Sequence, residues 1–328
     1  MRKQPDVDDF RPALGLEGAH AQTLLGWALK RSRPDYRRIR RETGDGGFVD
    51  VDCLDGSPGA PGVLLLHGLE GSSSSGYLAL TAQHAHARGW HVAALNFRGC
   101  SGEASPTLKT YCSGNFDDAL ATVRWLRQTL PPGTRLGAVG FSLGGNQLLR
   151  MLGGLGKDAG LDAAVAVSAP FDLAACAQLV DHGPGWMNAY RMNFVRTMKA
   201  KSLEAARRFP EGRLDEAAIA RARGIRDLDE AVTAKVFGYP SAQAYYDDAS
   251  SGRWAAKVEI PTLLLSADDD PIAPAQELPG PARKNPHLTI QFTPRGGHVG
   301  FIEGSLVAPR FWCEARAVEF LATHLVTS

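Results

Sequence analysis

Long apolar runs are missing from this chain, and none approaches the ~20 consecutive residues that a membrane-spanning helix needs. The first nine residues, Met-Arg-Lys-Gln-Pro-Asp-Val-Asp-Asp, carry the positive start of a secretory signal with no apolar stretch behind it. An excess of one charge is missing too. The 36 Lys and Arg nearly balance the 35 Asp and Glu, so no global field favours nucleic acid or an anionic membrane. Cysteine is sparse: the five at positions 53, 100, 112, 176 and 313 follow neither a disulfide nor a zinc spacing. No internal repeat is visible, and no low-complexity tract beyond Ser72–Ser75. These absences lead us to expect a reduced, cytoplasmic protein without metal or cofactor. What is present is an apolar fraction of 44% in 328 residues, enough to bury a large core.

The order of segments says more than composition. Two short runs, Arg37–Thr43 and Phe48–Leu54, flank Gly44-Asp45-Gly46-Gly47 as in a hairpin. Alternation follows. Val63–Leu66, Val92–Leu95, Leu136–Val139, Ala163–Val167, Thr262–Leu265 and Leu288–Phe292 read as strands, with helices expected over Leu78–Arg88, Phe116–Leu130 and Leu143–Leu152. A last amphipathic helix is expected after Pro309. Such alternation implies the α/β class, a mostly parallel sheet covered on both faces. It is interrupted between about Phe171 and Lys257, which predicts a helical lid. The expected organisation is therefore core over 1–170, lid over 171–257 and core again over 258–328.

In such a sheet, chemistry gathers in loops beyond the carboxyl ends of the strands. Gly140-Phe141-Ser142-Leu143-Gly144 lies between an apolar strand and a helix. That is the context a nucleophile elbow needs, with small residues two positions either side of the serine. The string occurs once. A serine hydroxyl needs a base, and the base needs an orienting acid. Asp268-Asp269-Asp270-Pro271 follows one strand and Gly296-Gly297-His298-Val299-Gly300 the next, 28 positions after Asp270. We expect Ser142 as nucleophile, His298 as base and Asp270 as acid, with Asp269 second in line and Asp268 solvated. The Asp-Pro turn favours Asp270, because proline biases the preceding residue towards an extended backbone. The oxyanion hole is expected from the backbone N–H groups of Leu143 and Leu69, the latter in His67-Gly68-Leu69-Glu70-Gly71. His67 reads as a packing and loop-ordering residue, and His84 and His86 as an exposed helix face. Asp268–Asp270 lacks a cation-binding ligand loop.

Several further strings join these: His20-Ala21-Gln22-Thr23, Ser75-Gly76-Tyr77 and Asn96-Phe97-Arg98-Gly99-Cys100-Ser101-Gly102-Glu103. With the elbow, the acid loop and Gly297-His298-Val299-Gly300-Phe301, they make the chain resemble the YheT-like branch of the α/β-hydrolase superfamily, bacterial relatives of the ABHD lipid hydrolases. The resemblance implies an α/β-hydrolase fold, a metal-free serine triad and a small-molecule acyl ester or lipid-like substrate. It assigns no role to His20–Thr23 or Asn96–Glu103, for which ordering of the pocket rim is the default. Within the lid, Met187, Tyr190, Phe194 and Met198 fall at helical spacing. Such a stripe is ordinarily a packing face; as substrate-binding residues the four would form an adaptable apolar wall. The basic Arg207-Arg208 and Arg213–Arg226 regions, with Glu211, Asp215 and Glu216 interleaved, read as a solvated face. Three functions fit: a carboxylic-ester hydrolase, an acyltransferase with the same acyl-enzyme, or a non-catalytic binding protein of the same fold. The intact Ser, Asp and His argue against the third.

Overall fold

A computed structural model describes residues 10–29 and 32–326; the nine N-terminal residues and their signal-like start lie outside that range. At its centre is an eight-stranded sheet. In chain order the strands are β1 (Arg37–Glu42), β2 (Phe48–Leu54), β3 (Gly62–Leu66), β4 (His91–Asn96), β5 (Leu136–Phe141), β6 (Ala163–Val167), β7 (Thr262–Ala267) and β8 (Leu288–Thr293). Their spatial order is β1-β2-β4-β3-β5-β6-β7-β8. The β1–β2 hairpin and the β2–β4 pair are antiparallel, and every later pair is parallel.

The parallel strands read as unbroken apolar runs because both faces are covered. Alternate residues of β3 serve opposite cores: Leu64 and Leu66 face one, Val63 and Leu65 the other. Helices α3 (Asp117–Thr129) and α4 (Leu143–Leu155) cover the first face, through Val123, Leu126, Leu148 and Leu152. The second is covered by Leu78 and Ala82 of α2 (Gly76–His86) and by the C-terminal helix Trp312–Leu325, through Ala317 and Leu321. Edge strand β1 is the opposite in character, exposed and rich in arginine. Arg38 and Arg40 pair with Asp52 and Asp50, directly opposite them on β2. Charges along an edge also discourage pairing with another chain.

The last helix starts after Pro309, as expected, and one histidine expectation needs adjustment. Pro309 itself does not adjoin the helix. It lies in a small antiparallel pair, Ile302–Ser305 with Ala308–Phe311, and the helix starts at Trp312. Proline donates no N–H, which such a two-stranded edge tolerates. His86 is exposed as expected, but His84 is half-buried, and its pKa is lowered chiefly by that burial.

Between β6 and β7 the alternation gives way to helices. The insertion opens with α5 (Leu173–His182), which Asp172 caps by accepting from the Ala175 N–H at 3.0 Å. Helix α6 (Met187–Arg208) follows and is the longest in the chain's described part, at 22 residues. Shorter helices come next, ending with Ala242–Ala249 and Ser251–Ala255. The last of these is not peripheral, since Ala255 is fully buried in the core beside α4 residues. Among the described residues no helix is long and apolar enough to cross a membrane.

Candidate active site

Ser142 sits between β5 and α4 with φ 50° and ψ −118°, a left-handed conformation rare for a residue with a side chain. The turn exists because the residues two positions either side are glycines. A Cβ on Gly140 would stand 2.5 Å from the Gly144 carbonyl oxygen, and one on Gly144 would stand 2.6 Å from the carbonyl oxygens of Leu66 and His67. Any larger residue would force strand and helix apart. The Ser142 N–H is fixed by the Val167 carbonyl at 2.8 Å.

From this turn a continuous hydrogen-bonded chain runs across the carboxyl edge of the sheet. His298 Nε2 lies 2.9 Å from Ser142 Oγ. On the other side of the ring, Nδ1 lies 2.9 and 3.1 Å from the two oxygens of Asp270. Asp270 is buried, and its Oδ1 also accepts from the N–H groups of Ile272 and Ala273 at 2.9 Å. Nδ1 therefore carries a proton towards the carboxylate, leaving Nε2 to accept from the serine. The other two aspartates diverge. Asp269 accepts from the Gly297 N–H at 2.9 Å and so holds the histidine loop, while Asp268 is exposed.

The two residues expected to supply the oxyanion hole line the same cavity as the serine. Leu143 is the first residue of α4, so its N–H is one that a helix leaves without an internal acceptor. Gly68 passes so close that a Cβ there would be 3.2 Å from the Ser142 Cβ, and the residue after it, Leu69, lines the same cavity as Ser142. His67 orders this loop. Fully buried against Phe97, its Nε2 accepts from the Phe97 N–H at 3.1 Å. Desolvation lowers its pKa to about 4, so it stays neutral.

The histidine loop is supported by residues to which the sequence alone assigned no catalytic part. Thr23 Oγ1, on helix α1 (Ala19–Ala28), accepts from the His298 N–H at 2.9 Å. Its neighbour Gln22 is fully buried; it donates to the carbonyls of Leu16 and Ile302 and accepts from the Ile302 N–H. Ser168 Oγ accepts from the Val299 N–H at 3.2 Å. Asn146, on α4 four residues after the serine, donates to the carbonyls of Ser113 and Ala249 and accepts from the Ser251 N–H, tying the end of the insertion to α4. The only sequence signal for Gln22 and Thr23 was the His20–Thr23 string.

Ser142 and His298 open into a cavity of about 320 Å³, lined mainly by apolar groups including Trp27, Leu173, Val180, Phe194, Met198 and Ile272. The expected stripe on α6 divides here. Phe194 and Met198 line the cavity. Met187 and Tyr190 are buried in a cluster with Val180 and Ile272 instead. Tyr190 also meets α1, its hydroxyl 3.0 Å from His20 Nδ1 and its ring edge-on to Trp27.

The sequence profile of the alpha/beta hydrolase fold family matches residues 61–305. YheT of Escherichia coli (strain K12) is 36% identical over 325 residues, covering 97% of this chain and 94% of YheT. Phospholipase ABHD3 of Mus musculus is 32% identical over 310 residues, covering 91% of this chain and 74% of its own. Among solved structures, the esterase Pf2001 of Pyrococcus furiosus superimposes with a TM-score of 0.57 at 19% identity, covering 89% of this chain and 94% of that one; this likeness concerns the fold.

Proposed function

We propose, from the premise that the chain belongs to the α/β-hydrolase fold family and to its YheT-like branch, that it is an esterase cleaving carboxylic esters through an acyl-enzyme on Ser142. The observation that carries this reading is the unbroken chain Asp270–His298–Ser142 at the base of an apolar cavity. A relative named a phospholipase adds support for an acyl ester of lipid-like character.

In this mechanism His298 Nε2 takes the proton of Ser142 as Oγ attacks the ester carbonyl. The carbonyl oxygen becomes an oxyanion, which the N–H groups of Leu69 and Leu143 receive. Collapse expels the alcohol, protonated by the imidazolium, and water then hydrolyses the acyl-serine by the same route. Asp270 holds the ring in the required tautomer and stabilises the imidazolium at each step. The acyl chain lies against Phe194, Met198 and the apolar residues around them.

The test is a panel of acyl esters of graded chain length with wild type and Ser142→Ala. Alanine fits the same turn, so the fold should persist while turnover falls by ~10³-fold or more. A fluorophosphonate should label wild type and not the variant. Full turnover by Ser142→Ala would overturn the proposal. Adding a free alcohol separates hydrolysis from acyl transfer, because a transferase would yield the new ester in preference to the acid.

A further inference from the structure

We propose that Lys201 is a positioning residue for the oxyanion hole: from α6 it neutralises Glu70, the residue after the donor Leu69, and so makes turnover depend on α6 being seated. The inference rests on the assignment of Leu69 as a donor in the proposed mechanism.

Glu70 is held in an unusual way. Its φ is 57°, a left-handed conformation that a long side chain adopts only where its surroundings enforce it. Tyr111 enforces it. The phenol oxygen accepts from the Glu70 N–H at 2.9 Å and donates to Glu70 Oε1 at 2.9 Å. Burial holds the Tyr111 pKa well above its ordinary value, so the phenol remains a neutral donor. Its ring stacks on Phe97, the residue whose N–H is bonded to His67. One carboxylate oxygen of Glu70 is thus anchored in the core. The other, Oε2, meets Lys201 Nζ at 2.8 Å.

The location gives this pair its consequence. Glu70 borders the cavity that holds Ser142 and also a second cavity, of about 510 Å³, which Lys201 lines. Met198, one turn before Lys201 on α6, lies on the same border. With the Lys201 side chain 49% exposed and that of Glu70 17% exposed, the ion pair adds little to stability. Its effect on the reaction is larger. A neutral ester is nearly indifferent to a carboxylate one residue from the oxyanion donor, but the negative charge of the transition state is repelled by it. Lys201 cancels that repulsion. Because the charge exists only in the transition state, the benefit falls on kcat rather than KM.

The experiment compares Lys201→Met, Lys201→Arg, Glu70→Gln and the double variant Lys201→Met/Glu70→Gln on a soluble short-chain ester, with Ser142→Ala alongside. Lys201→Met should lower kcat by about tenfold to a hundredfold, less than loss of an oxyanion donor, while KM stays within about twofold. Lys201→Arg should keep most activity. The double variant should recover most of the loss, since a neutral amide repels nothing; a purely structural role for Lys201 predicts no such rescue. A wild-type kcat for Lys201→Met, or a double variant as slow as Lys201→Met, overturns the inference while leaving the esterase reading intact. Activity surviving in Ser142→Ala would overturn both.

Discussion

Asp270 accepts from the N–H groups of Ile272 and Ala273 and from the imidazole of His298, so one buried carboxylate shapes its own loop and faces the ring. Its neighbours do neither. Single asparagine substitutions separate the three, because asparagine keeps the shape and removes the charge. Asp270→Asn should lower kcat by up to ~10⁴-fold, by favouring the wrong imidazole tautomer. Asp269→Asn retains a carbonyl for the Gly297 N–H and should cost far less, and Asp268→Asn should behave as wild type. Steady-state kinetics on one ester checks all three, and a larger loss at Asp269 than at Asp270 reverses the assignment. The serine, histidine and aspartate were legible because each stands in a local string whose spacing reflects a turn. Thr23 and Ser168 were not. Each is an ordinary hydroxyl residue, and its partner lies 275 or 131 positions away, a relation that no local pattern records.

At the scale of elements, the strands were the easiest to read, since covered parallel strands are short apolar runs with turns at both ends. Their ends shifted by only a residue or two. Helix α6 was harder. Periodicity tells which residues share a face but not what that face meets, and along α6 the neighbour changes. Its first turns lie against α5, α1 and Ile272, and Phe194 and Met198 then reach the cavity. A chemical difference follows. Phe194→Ala and Met198→Ala should weaken use of long-chain esters more than of acetates, by up to about 0.8 kcal/mol for each substrate methylene that is no longer buried. Met187→Ala should lower the unfolding midpoint while shifting all chain lengths alike. Kinetics across the ester series with a thermal melt of each variant checks this; chain-length dependence at Met187 and none at Phe194 would invert the division.

For the molecule as a whole, two buried groups pull its pH response in opposite directions. His67 has a folded pKa lowered from 6.5 to about 4, chiefly by desolvation. Between those values the unfolded chain binds a proton that the folded chain does not, so this residue makes stability rise with pH. Asp229, accepting from Thr233 and Tyr246 in the insertion, is pushed up from 3.8 to about 6, chiefly by burial. Between those values the folded chain keeps a proton that the unfolded chain has lost, so this residue makes stability fall with pH. Asp229→Asn removes the second effect only. Urea midpoints measured between pH 4 and 6.5 should therefore climb more steeply with pH in the variant; an unchanged slope would show that Asp229 is ionised in the folded state throughout. The bond between Thr23 and the His298 loop bears on synthesis as well as on shape. On the ribosome, the strands and glycines that form the serine elbow emerge well before residue 298, while α1, made earlier still, waits for the loop it will grip. A growing chain thus holds the serine without its base until residue 298 has been added and the late loop docks on the early helix.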